Sequence, residues 1–252
     1  MRVDVLHRRL SHDVRMMYDE VSDVLPSTMP KRYAAGRQIN LIPFLKRLNA
    51  VTEPYGLYNE VVEDATIQRD TVYMTGLWLA KKQLPENNSS ADIRVLWHVA
   101  PRSRRLSISP MRWNRRRYFF WQIVMHELVH RYQYVYGGPN AHVRVYKPRS
   151  TDRTIREQQD YYGQCDEIEA HAHDAAVELF TWWPHLSFRA AVREARAVTG
   201  PVTPTLLIYK ETFRDSPGHP AYKHFKRKMR SWYDCVRDHA DFYQSLELPI
   251  IV

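Results

Sequence analysis

The amino-acid sequence predicts an α+β fold, a mostly helical body with one small mixed sheet. Three observations predict it. Apolar residues recur at helical spacing through most of the C-terminal half, one run near the middle alternates apolar and polar residues, and no internal repeat or low-complexity linker divides the chain. With 252 residues, 44% apolar and 12% aromatic, the chain can bury a sizeable core and is not of a disordered composition. The economical organisation is a single domain over 1–252, with helices and sheet in 1–112 and a helical part in 113–252.

Residues 4–25 read as a helix closed by Pro26, and 37–50, RQINLIPFLKRLNA, as a second helix interrupted near Pro43. The pattern over 55–80 is mixed, and TVYMTGLWLA within it reads as a strand. After the turn-rich LPENNSSAD comes the clearest strand, IRVLWHVA, where Ile93, Val95, Trp97 and Val99 alternate with Arg94, Leu96, His98 and Ala100. RLSIS is expected to pair with it, and Pro110 ends the region. A helix follows over about 114–136, stopped by GGP at 137–139. Residues 140–156 read as a basic loop. CDEIEAHAHDAAVELFTW, 165–182, is a strong helix followed by Pro184. Further helices are expected over 187–198 and, as one long element, over 221–246.

Composition narrows the function. The formal charge of +9 favours acidic partners: nucleic acid, an anionic surface or an acidic protein. Two cysteines, Cys165 and Cys235, cannot build a disulfide framework, and the lack of a Cys-x-x-Cys pair excludes a cysteine-based zinc site or a thioredoxin-type motif as an expectation. The first twenty residues carry charge throughout and have no apolar centre, so they do not read as a signal peptide. No run approaches the 18 or so apolar residues of a membrane span. The expectation is a soluble, cytoplasmic protein with no membrane partner.

The segment YFFWQIVMHELVHRYQYVYGG sets His126, Glu127 and His130 into an apolar helix. Residues four apart share one helical face, so both imidazoles can reach a single Zn²⁺ at about 2.0–2.1 Å. Glu127 is turned by about 100° from His126, a position from which a carboxylate can take the proton of a metal-activated water. Phe119 and Ile123 continue the histidine stripe, which predicts that this stripe faces inward. A catalytic zinc keeps three protein ligands, and two stretches downstream can supply the third: His142, just past GGPN, and the acidic helix that begins at Cys165. Tyr132, Tyr134, Tyr161 and Tyr162 are candidate donors to a developing oxyanion.

H-E-x-x-H followed some tens of residues later by a helical E-x-x-A-(D/N/H) resembles the gluzincin metallopeptidases. The matching residues are His126, Glu127, His130, Glu167, Ala170 and His171, and the resemblance covers about 118–180. It implies a zincin-like fold and zinc-dependent hydrolysis of peptide bonds in a protein or peptide substrate. His126, His130 and Glu167 would be ligands, Glu127 the general base, and His171 a supporting residue where the family often has Asp. Glu169 offers a competing register with His173, but it lies about 200° from Glu167 on a helix, so only one of the two acids can face the metal. The His142 alternative resembles the SprT-like zincins, which act on DNA-bound proteins, although HVRVYKP replaces the continuation expected there. The zincin motif with YYGQCDEIEAHAHDAA and a basic C-terminal helix also loosely resembles phage-encoded peptidases and virion proteins. That likeness implies a place in the host cytoplasm or in a virion assembly, with a metal site that is catalytic, structural or vestigial.

Basic clusters complete the list. Arg102, Arg104, Arg105, Arg112, Arg115, Arg116 and Arg117 occupy 102–117 without an acid, and KHFKRKMR at 223–230 and KPRSTDRTIR at 147–156 add two more. Arginine with interleaved aromatics suits phosphate contact. No motif for sequence-specific readout accompanies it.

Overall fold

The computed structural model describes residues 2–26, 29, 38–68, 71–79, 92–103, 105–107, 109–137, 145–198 and 203–248. In chain order the elements are α1 (Val3–Val24), β1 (Gln38–Asn40), α2 (Leu41–Thr52), a 3-10 turn at Glu53–Tyr55, β2 (Leu57–Glu63), β3 (Val72–Trp78), β4 (Ile93–Val99), β5 (Arg105–Ser107), α3 (Pro110–Gly137), α4 (Arg153–Tyr162), α5 (Cys165–Trp182), α6 (Phe188–Ala197), α7 (Pro204–Thr212), α8 (Pro220–Asp238) and α9 (Ala240–Ser245). The fold is α+β and mostly helical. Two compact units divide it, residues 10–128 and residues 1–9 with 129–250, the divisions falling inside α1 and α3. Among the described residues no helix is long and apolar enough to cross a membrane.

In the unit of residues 10–128, β4 is the centre of a three-stranded sheet of order β2-β4-β3, parallel to β2 and antiparallel to β3. Alternation builds it: Ile93, Val95, Trp97 and Val99 are each at most 1% exposed. The other face carries polar pairs, with Arg94 3.4 Å from Glu60 and Thr75 Oγ1 2.8 Å from His98 Nε2. β2 escapes the sequence pattern because Asn59 occupies an inward position. Its polarity is absorbed by α2: Asn49 Oδ1 accepts from the Asn59 backbone N–H at 2.6 Å, and Asn49 Nδ2 donates to the Asn59 carbonyl at 2.9 Å. A side chain thus serves as the edge partner that β2 lacks among the described strands. Trp97 Nε1 donates to Asn59 Oδ1 at 3.2 Å, and its ring meets Phe44 edge-on at 5.9 Å. Trp97→Ala removes this buried indole and leaves Asn59 Oδ1 without its donor, so we expect a loss of about 3–5 kcal/mol in urea unfolding.

Two expectations need correction here. Pro43 does not interrupt a helix. The helix starts at Leu41, with Asn40 Oδ1 accepting from Ile42 N at 3.2 Å, and Pro43 lies in the first turn, where a backbone N–H has no intrahelical partner to lose. RLSIS does not pair with β4, because both edges of β4 are taken by β2 and β3. Instead β5 runs antiparallel to β1, with Ile39 opposite Leu106.

The unit of residues 1–9 and 129–250 is helical, and α5 against α8 is its main packing pair. Ala170, Ala172, Ala175 and Ala176 keep α5 slim, and α8 fills the space with Phe225, Met229, Trp232 and Val236, all at most 1% exposed. Two helices were not legible in sequence. α4 begins inside the stretch read as a loop, with Asp152 Oδ1 accepting from Ile155 N at 3.0 Å. α7 starts at Pro204, and its N-terminus is capped from another helix: Glu178 of α5, fully buried, accepts from Thr205 Oγ1 at 2.6 Å and from Thr205 N at 3.1 Å. The expected long terminal helix is two elements, broken at His239, whose Nδ1 lies 2.9 Å from the Cys235 carbonyl. α3 is longer than expected. Pro110 begins it, and Ser109 Oγ accepts from Arg112 N at 3.2 Å.

Candidate metal centre

The helix α3 carries His126, Glu127 and His130 through an unbroken run of turns. From Phe120 to Val129 its fully buried residues are Phe120, Trp121, Val124, Met125, Leu128 and Val129, while Phe119, Ile123 and His126 are half-buried. The stripe that continues the histidines is therefore not the most deeply buried face, which corrects the inward orientation expected for it. His130 and Glu127 are each 6% exposed.

Within the helical unit, Glu167 in the first turn of α5 approaches the second histidine. Its Oε2 lies 3.7 Å from His130 Nε2 and 3.5 Å from His171 Nε2. His171 Nδ1 in turn lies 3.8 Å from Asp174 Oδ2. Two nitrogen or oxygen ligands of one tetrahedral zinc stand about 3.4 Å apart, so the His130–Glu167 separation fits a shared ion. Gln133 Nε2 donates to the Asp166 carbonyl at 3.3 Å, which ties this stretch of α3 to the start of α5. His126 precedes His130 by one turn. The two histidines share one face of that helix, at the i, i+4 spacing. Imidazoles with a carboxylate are a zinc-type donor set.

The other sequence candidates fall elsewhere. Glu169 turns to α8, where it accepts from Trp232 Nε1 at 2.8 Å and pairs with Lys228 at 2.5 Å. His173 is fully buried, edge-on to Trp232 at 4.8 Å, with its Nε2 3.4 Å from the Tyr243 hydroxyl. His142 lies outside the described residues. Tyr162 and Tyr161 sit beside His171, with ring centroids at 5.2 and 6.3 Å, whereas Tyr132 is buried and stacks on Tyr136 at 6.1 Å. Tyr209, which no sequence signal marked, stands 5.7 Å from His171 and donates to the Tyr162 carbonyl at 3.2 Å. Burial first, then the charge of Glu167, raises the Tyr209 hydroxyl well above its ordinary value, so it stays protonated and able to donate.

The arginine run does not form one exposed surface. Arg102, Arg105 and Arg115 are exposed, and Arg104 lies outside the described residues. Arg116 and Arg117 are 9% and 1% exposed; Arg117 donates to the Tyr18 hydroxyl at 2.9 Å, and burial pushes Arg116 down to about 10. Helical spacing explains the correction, because consecutive residues point to different faces and the last two point inward. A second basic surface comes from dispersed positions: Arg189, Arg193 and Arg196 of α6 with Arg230 and Arg237 of α8 line one depression.

Comparison with known proteins gives no match: no family model, no curated protein and no solved structure corresponds to this chain.

Proposed function

We propose that the protein is a zinc-dependent metallopeptidase with a zincin-like fold, acting on protein or peptide substrates. The observation that carries this reading is the approach of Glu167 to His130 at 3.7 Å, because it adds a carboxylate to one histidine of an H-E-x-x-H pair. His126, His130 and Glu167 would hold the ion. Bound zinc supplies Lewis-acid polarisation of the scissile carbonyl and lowers the pKa of the attacking water. Glu127 would be the general base, holding a proton on its carboxylate and returning it to the leaving amine. His171, between Glu167 and Asp174, orients the Glu167 carboxylate. Tyr161 and Tyr162, whose rings neighbour His171, would be candidate donors to the developing oxyanion.

Glu127 has a specific support within residues 10–128. A Cβ built at Gly76 of β3 would overlap its carboxylate, coming 2.7 Å from Cγ and 2.8 Å from Cδ. Only glycine leaves that space, so Gly76→Ala displaces the general base. The expected result is a fall in kcat on the order of 10²-fold with zinc content unchanged. Steady-state kinetics beside metal analysis checks it. The proposed activity itself is tested by incubating the zinc-loaded protein with a proteome-derived peptide library and reading new termini by mass spectrometry. New termini that vanish with Glu127→Gln support it, and no cleavage by folded, zinc-loaded protein contradicts it.

A further inference from the structure

A second cluster of metal-binding side chains lies apart from the residues assigned above. His7 of α1 and Cys235 and His239 at the end of α8 each offer a ligand atom, and the three atoms lie within 4.8 Å of one another. The His7 and His239 rings are 4.0 Å apart between centroids, and Cys235 Sγ is 3.8 Å from His239 Nδ1. A sulfur and a nitrogen bound to one tetrahedral zinc stand about 3.6 Å apart, so the Cys235–His239 separation is close to that of two ligands of one ion. His7 is 3% exposed, and its Nδ1 lies 3.2 Å from the Tyr243 hydroxyl of α9. Outer partners of this kind fix the orientation of ligating histidines.

We propose that His7, Cys235 and His239 form a second, structural metal site for a thiophilic d¹⁰ cation, zinc foremost, that fastens the start of α1 to the end of α8. The absence of a Cys-x-x-Cys pair excludes a site built on paired cysteines; it does not exclude one in which a single thiolate is joined by two histidines, one from the opposite end of the chain. Cys235 and His239 also line an open surface depression with Asp4 and Asp238, which gives the ion an entry path.

Cobalt substitution of the full-length protein tests the site, because a thiolate–Co²⁺ bond gives a charge-transfer band in the near ultraviolet that imidazole and carboxylate ligands do not. We expect two cobalt equivalents and this band in the wild type. Cys235→Ser and His239→Gln should each lose one equivalent and the band while keeping the wild-type circular dichroism spectrum. His130→Ala should keep the band. A wild type without the band overturns the proposal. So does a band that survives Cys235→Ser, or one lost in His130→Ala, which would place the thiolate at the first centre. Because the band reports the second site alone, the outcome is independent of whether the protein hydrolyses peptides.

Discussion

Glu127→Gln is expected to keep its zinc and to lose peptidase turnover by about 10²- to 10⁴-fold, the range that one positioned acid–base group contributes. The amide has nearly the shape of the carboxylate, so its packing against Gly76 is retained, and it cannot accept a proton. Both kcat and kcat/KM should fall together, since the proton transfer belongs to the transition state and not to substrate binding. Single-turnover kinetics with a substrate taken from the peptide library, alongside metal analysis of the same sample, measures this. Equal turnover in the two proteins would remove Glu127 from the chemistry.

Glu167→Ala and Glu169→Ala are expected to fail in opposite ways, although the two positions are only two residues apart. Glu169 is 6% exposed and is held by the Lys228 ammonium and the Trp232 indole N–H within the α5–α8 interface. Its removal leaves a cation, itself only 20% exposed, and a buried donor without their acceptor. The expected cost is about 3 kcal/mol, at the lower end for a broken buried pair because Lys228 keeps some access to water. The zinc bound near His130 should remain. Glu167→Ala should lose that zinc, and its intrinsic stability should change less, because Glu167 lies beside His130 and His171 and not in the α5–α8 core. Urea unfolding in chelator, paired with zinc analysis, separates the two. The reverse pattern would mean that Glu169 is the ligand.

What was legible in the sequence is what is local. The limits of α5, Cys165–Trp182, follow from apolar periodicity and a closing proline, and β4 follows from strict alternation. The placement of His126 and His130 one turn apart needs only the helical period. What was not legible depends on partners far away in the chain. β2 hides because the polar Asn59 is inward, and only Asn49 of α2 makes that tolerable. The pairing of β5 with β1 depends on β4 having no free edge, which no local pattern encodes. Glu178 caps α7, a helix that its own residues announce weakly. Tyr209 reaches His171 from that same helix. Arg116 and Arg117 show the converse limit, since a run of like charge looks uniform until the helix turns two of its members inward.

The measurement that tests the central claim most directly is the zinc content of the purified protein at the His126–His130–Glu167 centre. It is best made in a Cys235→Ser background, so that the second cluster does not contribute. The account predicts about one tightly held zinc per chain, lost in both His126→Ala and Glu167→Ala. A folded protein that takes up no zinc on reconstitution, or one whose zinc survives both substitutions, would contradict it.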